Sequence, residues 1–472
     1  MQGICLLGAT GSIGQSTLDI IAQHPEKFTL VNASANESVD KMAEICRRFK
    51  PLRVVMGSQQ ARDELAYKCQ GLAISFEWGE EALDSIASDS AVDQVMAAIM
   101  GFAGLKPTLA GIRAGKRTLL ANKESLVTAG KLFMDEVARH DVMLLPIDIE
   151  HNAIYQSLPQ TSHGAHQQDV SKILLTASGG PFRSWTLDEM KFVTPEQACK
   201  HPNWSMGQKI SIDSASLMNK GLELIEACWL FDVTPNQVDV VVHPESIIHS
   251  MVSYLDGSVI AQMGNPDMKI PIAYGMSWPN RIETSVPPLN LVDVARLNFE
   301  SPDLMRFPNL KLASDAWFMG GTAMAVLNAT NEIAVTAFLN RQIGFLDIAR
   351  LNERVLMAAN IVAVNDLDDV FEAEIDKQVE LAIEEADVII FMVDVETGVT
   401  GMDEDVSKLL RKVDKPVLLV INKVDNSKRN ADAVEFYALG LGEYYTIASI
   451  NGSGTGDLLD ALVKVLPEKE EE

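Results

Sequence analysis

The chain has 472 residues, of which 47% are hydrophobic, 6% aromatic and 22% charged. This composition is typical of a globular protein of roughly three domains, and it excludes a mainly disordered, a collagen-like or a disulfide-stapled chain. The formal net charge of −26, from 39 basic and 65 acidic residues, argues against a nucleic-acid-binding protein or a binder of anionic membranes.

The start of the chain, MQGICLLGATGS, runs directly into a strand-like pattern, with no basic segment or cleavage site typical of a signal peptide. No apolar segment approaches the roughly 20 residues that span a bilayer. The five cysteines are scattered and form no C-x-x-C pair, which favours buried thiols in a reducing compartment. We therefore expect a cytoplasmic protein without a membrane segment, a disulfide framework or a zinc site.

Residues 1–150 alternate apolar segments with segments of helical period. Six segments are typical of strands: GICLLG, FTLVNAS, PLRVVMG, VDQVMAAIMG, RTLLAN and DVMLLPIDI. Between them, segments such as QSTLDIIAQH and VDKMAEICRRF repeat apolar residues every three or four positions. This alternation predicts βαβ units and a parallel sheet, so the predicted fold class is α/β with a Rossmann-like N-terminal domain.

A glycine-rich turn, Gly8-Ala-Thr-Gly11-Ser-Ile-Gly14, follows the first predicted strand and opens the first predicted helix. Glycines let the backbone approach a pyrophosphate, and the start of a helix offers free N–H groups. The spacing differs by one residue from the usual dinucleotide fingerprint, and a plain tight turn is the alternative. Its position between strand and helix favours dinucleotide binding.

Asp148 and Glu150 come at the end of the last predicted strand of this region. Alternate strand residues face the same side, so we expect both carboxylates to project together. Adjacent carboxylates repel each other unless a cation lies between them, and their oxygens suit Mg²⁺ or Mn²⁺. A surface acidic pair is the alternative. Glu223, in SASLMNKGLELIEA, is the candidate third ligand.

Asn219, Lys220 and Glu223 fall within one turn of a predicted helix and can line one edge of it. Lys220 then suits a phosphate or an oxyanion, and Asn219 can donate a hydrogen bond. The alternative is an amphipathic helix with a charged outer face.

Two loops rich in Gly and Pro complete the candidate site. The loop that begins at Ser178 offers a hydroxyl and backbone N–H groups to an anion. The second loop, HPNWSMG, combines His201 with Trp204 and Met206, as expected of a flap that closes over a substrate. Packing of Trp204 in the core is the alternative.

Six motifs resemble, in order and spacing, the 1-deoxy-D-xylulose 5-phosphate reductoisomerase family: GATGSIG, LLANKESLVTAG, PIDIEHNAIYQSL, LTASGGPFR, HPNWSMGQKISIDSASLMNKGLE and HPESIIHSMV. The resemblance covers about residues 1–372. It implies an NADPH-binding domain (1–150), an α/β catalytic, metal-binding and dimerisation domain (151–284), a connecting arm (285–312) and an incomplete C-terminal helical domain (313–372). It also implies a homodimer that serves isoprenoid precursor biosynthesis.

The resemblance implies a reaction in two stages. A divalent metal, Mn²⁺ or Mg²⁺ with Co²⁺ as a further candidate, binds the ketone and a hydroxyl of the sugar phosphate while one C–C bond breaks and another forms. NADPH then reduces the branched aldehyde phosphate to 2-C-methyl-D-erythritol 4-phosphate.

The matching motifs also imply the residues of the site. The implied metal ligands are Asp148, Glu150 and Glu223. The implied catalytic residues are Lys123, Glu150, His201 and His249. The implied substrate contacts are Ser178, His201, Trp204, Ser214, Asn219, Lys220 and Glu223. The implied cofactor contacts are Thr10, Gly11, Ser12, Ile13, Asn36, Asn122, Glu124 and Gly207.

Three positions depart from the family pattern. Ile149 stands where the family usually has Ser between two metal carboxylates, which removes a hydroxyl worth about 1.5–3 kcal/mol if it bonds a charged group. Glu37 stands where a basic or neutral polar residue is commoner and would repel a 2′-phosphate, so the preference for NADP over NAD is left open. Glu245 replaces the usual Gln.

Three other functions remain open at this point. Another NADP oxidoreductase, such as a semialdehyde dehydrogenase, needs a nucleophilic cysteine, and neither Cys199 nor Cys228 lies in a motif that suggests one. A nucleotide-binding interaction module would act through the C-terminal segment. A catalytically impaired fusion stays open because of Ile149 and because the C-terminal segment, described next, departs from the family.

The C-terminal segment differs in composition from the rest of the chain. Residues 361–472 hold 26 acidic and 10 basic residues, against 39 and 29 in residues 1–360, which predicts a boundary near residues 371–374. Residues 373–472 resemble the second half of a GTPase domain of the bacterial ribosome-assembly type with tandem GTPase domains. Asn422-Lys-Val-Asp425 matches the guanine-reading motif, and Ser449 lies in the second base-contacting loop. We expect a partial, three-stranded α/β half-domain.

The phosphate-binding motifs of a GTPase are missing from this sequence. Neither G-x-x-x-x-G-K-[ST] nor D-x-x-G occurs in it. Guanine contacts alone do not support phosphoryl transfer, so we expect weak or no GTP binding and no GTPase activity. We interpret the chain as a chimera, recombined or artificially generated, in which EIDKQVELAIEE stands in for the terminal helix of the reductoisomerase family.

Overall fold

The computed structural model describes residues 1–161, 164–165, 169–200, 207–370, 373, 386–395, 397–411, 413–425, 427–449 and 452–466. The chain forms two compact units, Met1–Val370 and Phe371–Glu472. Within the described ranges, no helix is both long enough and apolar enough to cross a bilayer. All five cysteines are free thiols.

The first unit opens with a parallel seven-stranded sheet: β1 (Gln2–Leu7), β2 (Phe28–Ala35), β3 (Arg53–Met56), β4 (Ser75–Trp78), β5 (Gln94–Ala97), β6 (Arg117–Leu120) and β7 (Leu144–Pro146). The strand order is β4-β3-β2-β1-β5-β6-β7. The predicted parallel sheet is therefore confirmed. The sequence SFEW of β4 was not predicted as a strand, because it is a half-exposed edge segment without an apolar run.

Helices follow the strands: α1 (Ser12–Gln23), α2 (Val39–Phe49), α3 (Gln59–Lys68), α4 (Glu80–Ala87), α5 (Leu105–Arg113), α6 (Lys123–Arg139) and α7 (Ile149–Ser157). Strands β2 to β4 are added on one side of β1, and strands β5 to β7 on the other side. The direction in which strands are added therefore reverses between β1 and β5. Ligands of open α/β sheets bind outside the carboxyl ends of the strands at such a reversal. The glycine-rich turn lies there, directly after β1.

A second sheet lies in the following region and has the order β11-β10-β12-β13. A two-residue pair precedes it, β8 (Gln160–Thr161) with β9 (Gly164–Ala165). The sheet strands are β10 (Val170–Ala177), β11 (Val238–Val242), β12 (Ile248–Tyr254) and β13 (Val259–Met263). The accompanying helices are α8 (Leu187–Met190), α9 (Pro195–Ala198), α10 (Gln208–Ala215), α11 (Met218–Leu230) and α12 (Lys269–Ser277).

The rest of the first unit is helical, as the sequence predicts. The short α13 (Leu291–Val294) interrupts the extended arm, and α14 (Asn309–Met319), α15 (Ala323–Leu339) and α16 (Phe345–Ala358) follow. Helix α14 packs closely on α11, because a Cβ atom on Gly221 would lie only 2.8 Å from Cβ of Ala313. Glu245 joins the arm to the second sheet, since its Oε2 accepts a 3.2 Å hydrogen bond from the Asn298 backbone N–H.

The second unit is a parallel sheet of β14 (Ile389–Asp394), β15 (Val417–Asn422) and β16 (Tyr444–Thr446), in that order. Its helices, over the described residues, are α17 (Gly401–Leu410), α18 (Ser427–Asp432) and α19 (Thr455–Val465). The predicted three-stranded half-domain is confirmed. Residues 374–385, the predicted replacement helix, lie outside the described ranges.

Candidate active site

Three carboxylates from two helices meet in one place. Asp148 is the N-cap of α7, Glu150 lies in its first turn and Glu223 lies on α11. One oxygen of each lies within 4.8 Å of the others. The predicted convergence is therefore found, but its stated reason is wrong. Since β7 ends at Pro146, Asp148 and Glu150 are brought together by the start of a helix and not by alternation along a strand.

Two lysines and an asparagine bind these carboxylates. Lys123 Nζ lies 2.6 Å from Asp148 Oδ2 and 3.2 Å from Glu223 Oε1. Lys220 Nζ lies 2.9 Å from Glu150 Oε1 and also contacts Glu223. Asn219 donates a hydrogen bond to Glu223 and accepts one of 3.0 Å from Lys123 Nζ. Asn219, Lys220 and Glu223 therefore share one helix edge, as the spacing predicts.

Burial and neighbouring charges shift the pKa values of these groups. Burial, together with the negative charge of Glu223, raises the pKa of Glu150 to about 8. Burial opposes ionisation of Asp148, but Lys123 outweighs it and holds the pKa of Asp148 well below its usual value. Burial also opposes the charge on Lys123, yet Asp148 and Glu223 raise the pKa of Lys123 well above its usual value. The raised pKa of Glu150 reflects repulsion between the buried carboxylates, whereas Lys123 stabilises the ionised form of Asp148.

His151 and Glu226 extend the cluster, and sequence reasoning missed both. His151 Nε2 donates a 2.8 Å hydrogen bond to the backbone oxygen of Glu223. Its Nδ1 lies 3.1 Å from Glu226 Oε2, and both of these buried atoms lack a hydrogen bond among the described residues. Burial and the charge of Asp148 raise the pKa of Glu226 well above its usual value. Their positions in the sequence could have indicated them. Glu226 lies three residues after Glu223 on the same helix, and His151 directly follows Glu150.

This donor set fits a divalent cation. The cluster holds four carboxyl groups, those of Asp148, Glu150, Glu223 and Glu226, and the ammonium groups of Lys123 and Lys220 pair with the first three of them. A surplus of buried carboxylates is costly unless a cation compensates it. Hard oxygen donors suit Mg²⁺ and Mn²⁺.

The glycine-rich turn has the backbone shape of a pyrophosphate cradle. Gly8 has φ of +86°, and a Cβ atom on Gly14 would lie 2.5 Å from the backbone oxygens of Gly8 and Ala9. The predicted contacts Gly11 and Ser12 are exposed, at the turn and at the first residue of α1. Thr10 and Ile13 are half-buried beside them. The turn therefore fits a dinucleotide.

The other four predicted cofactor contacts lie after β2, at the start of α6 and at the start of α10. Asn36 directly follows β2 and is exposed. Asn122 is the N-cap of α6, accepts a hydrogen bond from the Ser125 backbone N–H and donates one of 2.8 Å to the Gly101 backbone oxygen. Glu124 lies one residue beyond Lys123 on α6 and 3.6 Å from Lys209. Gly207 is the exposed N-cap of α10.

The predicted substrate contacts lie on loops and helices of the second region. Ser178 follows β10, and its hydroxyl accepts a 3.2 Å hydrogen bond from the Gly180 backbone N–H. Ser214 lies in the last turn of α10. His249 is buried on β12, and burial lowers its pKa to about 4. His201, Trp204 and Met206 lie outside the described residues, so the flap stays a prediction.

Family models match most of the first unit. The model of 1-deoxy-D-xylulose 5-phosphate reductoisomerase matches residues 4–130, and models of two C-terminal domains of that enzyme match residues 144–231 and 263–379. The enzyme of Pseudomonas aeruginosa strain UCBPP-PA14 is 55% identical over 376 residues, which cover 79% of this chain and 95% of the relative. The chain belongs to the 1-deoxy-D-xylulose 5-phosphate reductoisomerase family.

Other reductoisomerases agree with this assignment. The enzyme of Cupriavidus metallidurans is 55% identical, with 79% of this chain and 96% of the relative covered. The structure of the Zymomonas mobilis reductoisomerase in complex with NADPH has a TM-score of 0.77 and 45% identity, and covers 82% of this chain and 99% of that one. A reductoisomerase structure with NADPH, fosmidomycin and magnesium has a TM-score of 0.78 and 44% identity, with 81% and 98% covered.

A different family model matches the end of this reductoisomerase-family chain. The model of the elongation factor Tu GTP-binding domain matches residues 372–468, so the predicted GTPase likeness of the second unit is confirmed. The narrower likeness to ribosome-assembly GTPases stays a prediction. Residues 372–379 are matched by both the reductoisomerase and the GTPase models, which places the junction where the sequence suggests it.

Proposed function

We propose that the chain converts 1-deoxy-D-xylulose 5-phosphate into 2-C-methyl-D-erythritol 4-phosphate, with NADPH and a divalent cation. The convergence of Asp148, Glu150 and Glu223 is the observation that carries this proposal. Asp148 follows β7 and the glycine-rich turn follows β1, so both lie beyond the carboxyl edge of the same parallel sheet. Asp148 and the glycine-rich turn therefore lie at the same edge of the sheet.

Asp148, Glu150 and Glu223 are the proposed metal ligands. When bound there, Mn²⁺ or Mg²⁺ supplies Lewis-acid polarisation of the substrate's ketone and hydroxyl oxygens. Burial and the charge of Glu223 raise the pKa of Glu150, and a divalent cation held there would favour the ionised form of this carboxyl group. Lys123 and Lys220 hold the three side chains in place, each with contacts to two carboxylates.

The phosphate end of the substrate is assigned to Ser178, Ser214, Asn219 and Lys220. Lys220 is only 4% exposed and is held by Glu150 and Glu223, so its ammonium presents a fixed positive charge beside the metal ligands. The Ser178 hydroxyl, oriented by the hydrogen bond it accepts from the Gly180 backbone N–H, can donate to an anion, and the backbone N–H of Gly179, which has a positive φ, suits the same role. His249, neutral at physiological pH because of its low pKa, can exchange hydrogen bonds with substrate hydroxyls.

We assign the dinucleotide to the carboxyl ends of β1, β2 and β6. NADPH supplies the reducing equivalents. We propose that Gly11 and Ser12 bind its pyrophosphate, with Thr10 and Ile13 as further contacts of the same turn. We also propose Asn36 as a contact of the adenosine ribose, and Asn122, Glu124 and Gly207 as contacts at the nicotinamide end. His201, with Trp204 and Met206, is proposed to close over the substrate.

The test is an assay with the full chain. NADPH oxidation is followed at 340 nm with 1-deoxy-D-xylulose 5-phosphate, with and without Mn²⁺, and the product is identified by mass spectrometry. We expect oxidation that depends on both substrate and metal. Metal-independent oxidation, or a product without the branched skeleton, would contradict the proposal. NADPH oxidation without added sugar phosphate is the background control.

We further propose a homodimer, because the resemblance implies one, and a cytoplasmic location, because the scattered free cysteines suit a reducing compartment.

For the second unit we propose weak or no GTP binding. Its guanine-reading residues are in place, since the Asn422 side chain accepts a 3.1 Å hydrogen bond from the Ser449 backbone N–H. Lys423, however, pairs with Asp394 at 2.6 Å, and the sequence contains no phosphate-binding loop. Calorimetric titration with GTP is expected to give no measurable heat, and micromolar affinity would contradict this.

A further inference from the structure

The turn between α10 and α11 connects the proposed phosphate contacts. Ser214 precedes it, and Asn219 and Lys220 follow it in the first turn of α11. Leu217 adopts the left-handed conformation, with φ of +57°. That conformation costs a non-glycine residue about 1 kcal/mol or more, so the surroundings must hold the turn.

Three asparagines from three helices form a chain of hydrogen bonds around this turn. Asn331 Nδ2 on α15 donates to Asp213 Oδ1 at 2.7 Å. Asn352 Nδ2 on α16 donates to Asn331 Oδ1 at 3.2 Å and to Asn309 Oδ1 at 3.1 Å. Asn309 Nδ2 on α14 donates to the Ser216 backbone oxygen at 3.4 Å. We call this set the amide ring: Asp213, Asn331, Asn352, Asn309 and Ser216. Its hydrogen bonds begin at Asp213, just before Ser214, and end at Ser216, two residues after Ser214.

The amide ring lies in the core. The three asparagines are 0% exposed and Asp213 is 2% exposed. Buried amides are costly unless they are hydrogen-bonded, and apolar side chains of similar size would fill the same space. Four hydrogen bonds join the members of the ring, and within the described residues Asn352 Oδ1 is its one buried amide oxygen without a hydrogen bond. A hydrogen-bonded polar network in a core fixes one geometry more tightly than apolar packing does. The ring therefore has a geometric role beyond filling volume.

The same turn is also held from the opposite side. Gly180, with φ of +68°, lies so close that a Cβ atom on it would be 2.8 Å from the Ser214 backbone oxygen. On the other face, a Cβ atom on Gly221 would be 3.2 Å from the Asn309 backbone oxygen. The turn thus packs against the Ser178 loop and against the N-terminus of α14. The amide ring adds hydrogen bonds that join it to α14, α15 and α16.

We propose that Asn309, Asn331 and Asn352 are positioning residues for the phosphate subsite, an assignment that rests on the proposed function. They touch neither substrate nor cofactor, and act through the position of Ser214 and of the start of α11. The C-terminal helices thereby contribute to substrate binding. All three asparagines precede residue 372, where the likeness to GTPases begins, so the fusion leaves the amide ring complete.

The test uses variants of Asn331 in the full-length chain. Asn331→Leu removes both hydrogen bonds, and Asn331→Asp keeps the shape of the side chain, so the latter stays informative if the leucine variant does not fold. We expect the KM for the sugar phosphate to rise about tenfold, the effect of one lost charge-assisted hydrogen bond, with kcat and the KM for NADPH unchanged. The double variant Asp213→Asn with Asn331→Asp reverses the hydrogen bond and is expected to restore the KM. Asn340→Asp, exposed at the end of the same helix, is the matched control.

A second measurement separates this proposal from the proposed function. Line broadening of the ³¹P signal of inorganic phosphate reports the subsite without turnover. We expect weaker phosphate binding in both single variants and recovery in the double variant. A fall in kcat with an unchanged KM, or a KM that the double variant does not restore, would overturn the positioning role. A wild-type chain that does not oxidise NADPH but binds phosphate in a ring-dependent way would overturn only the proposed function.

Discussion

Ile149 is a single residue between two of the three site carboxylates. It is the first residue of α7 and is 7% exposed. An apolar side chain here gives the substrate no hydrogen bond, whereas the family usually provides a hydroxyl. Because the backbone of Asp148 and Glu150 forms the start of the helix regardless of residue 149, the metal ligands keep their positions and only the pocket loses a donor.

We therefore predict that Ile149→Ser lowers the KM for the sugar phosphate by about tenfold, the value of one hydrogen bond to a charged group. Steady-state kinetics measure this at saturating NADPH and Mn²⁺. Ile154→Ser, in the core of the same helix, is the matched control, since it should lower the melting temperature without improving the KM. An unchanged KM in Ile149→Ser would show that this position does not reach the substrate.

Glu37 is exposed one residue after the predicted ribose contact, Asn36. A carboxylate at this distance repels a 2′-phosphate, by about 1 kcal/mol in a solvated site. We predict that Glu37→Arg lowers the KM for NADPH about fivefold or more and leaves that for NADH unchanged. Glu44→Arg, exposed on α2, makes the same change of charge as a control. Equal effects on both cofactors would place Glu37 away from the 2′-phosphate.

At the scale of elements, the start of α7 shows where sequence reasoning succeeded and where it failed. The motif around Asp148 and Glu150 identified the site, but periodicity assigned its residues to a strand. Apolar residues in MLLPIDI continue past Pro146, and nothing in their spacing marks the end of β7. At the N-cap of α7, Asp148 pairs with Lys123 of α6, a tertiary contact that residue spacing along the chain does not indicate.

Pairing between strands gives a prediction at this scale. Arg53 on β3 binds Glu77 on β4 at 2.7 Å and Asp89 at 3.3 Å. The hydrogen bond from Arg53 lowers the pKa of Glu77, and that of Asp89 is lowered by a hydrogen bond from the Ala91 backbone N–H and by Arg53. A carboxyl group whose pKa is lower in the folded than in the unfolded protein stabilises the fold. This stabilisation is complete above the pKa of the unfolded state, near 4, and is lost as the pH falls through the pKa of the folded state.

We predict that Arg53→Met destabilises the first unit by about 1 kcal/mol at pH 7, since the pair is partly exposed. Urea unfolding measures this difference, which should shrink as the pH falls below about 4. Lys131→Met removes a more exposed pair, with Asp135, and should have no effect at either pH. A difference between wild type and Arg53→Met that is constant with pH would rule out the ion pairs as its cause.

At the scale of the whole molecule, the chain joins a nearly complete reductoisomerase sequence to a partial GTPase-like unit. The change in acidic content and the loss of family motifs located this junction from the sequence alone. The partners of buried polar groups were not predictable, because Asp213 and Asn352 are far apart in the sequence and no motif links them. The amide ring could be found only from coordinates for the same reason.

The division into two units predicts independent behaviour. A chain that ends at Glu385 should match the full-length chain in melting temperature and in NADPH turnover, because the catalytic residues and their supports precede residue 371. Neither chain should hydrolyse GTP. Differential scanning calorimetry and a phosphate-release assay measure these properties. A large loss of stability on truncation would show that the second unit supports the first.

The central claim is that Asp148, Glu150 and Glu223 together hold one divalent cation that the reaction needs. The most direct measurement is Mn²⁺ binding by electron paramagnetic resonance, on the wild type and on Glu150→Gln, beside the NADPH oxidation assay. We predict one bound Mn²⁺ per chain in the wild type, and in Glu150→Gln a loss of at least about tenfold in affinity together with most of the turnover. Asp135→Asn, exposed on α6, should change neither. Undiminished Mn²⁺ affinity or full turnover in Glu150→Gln would contradict the account.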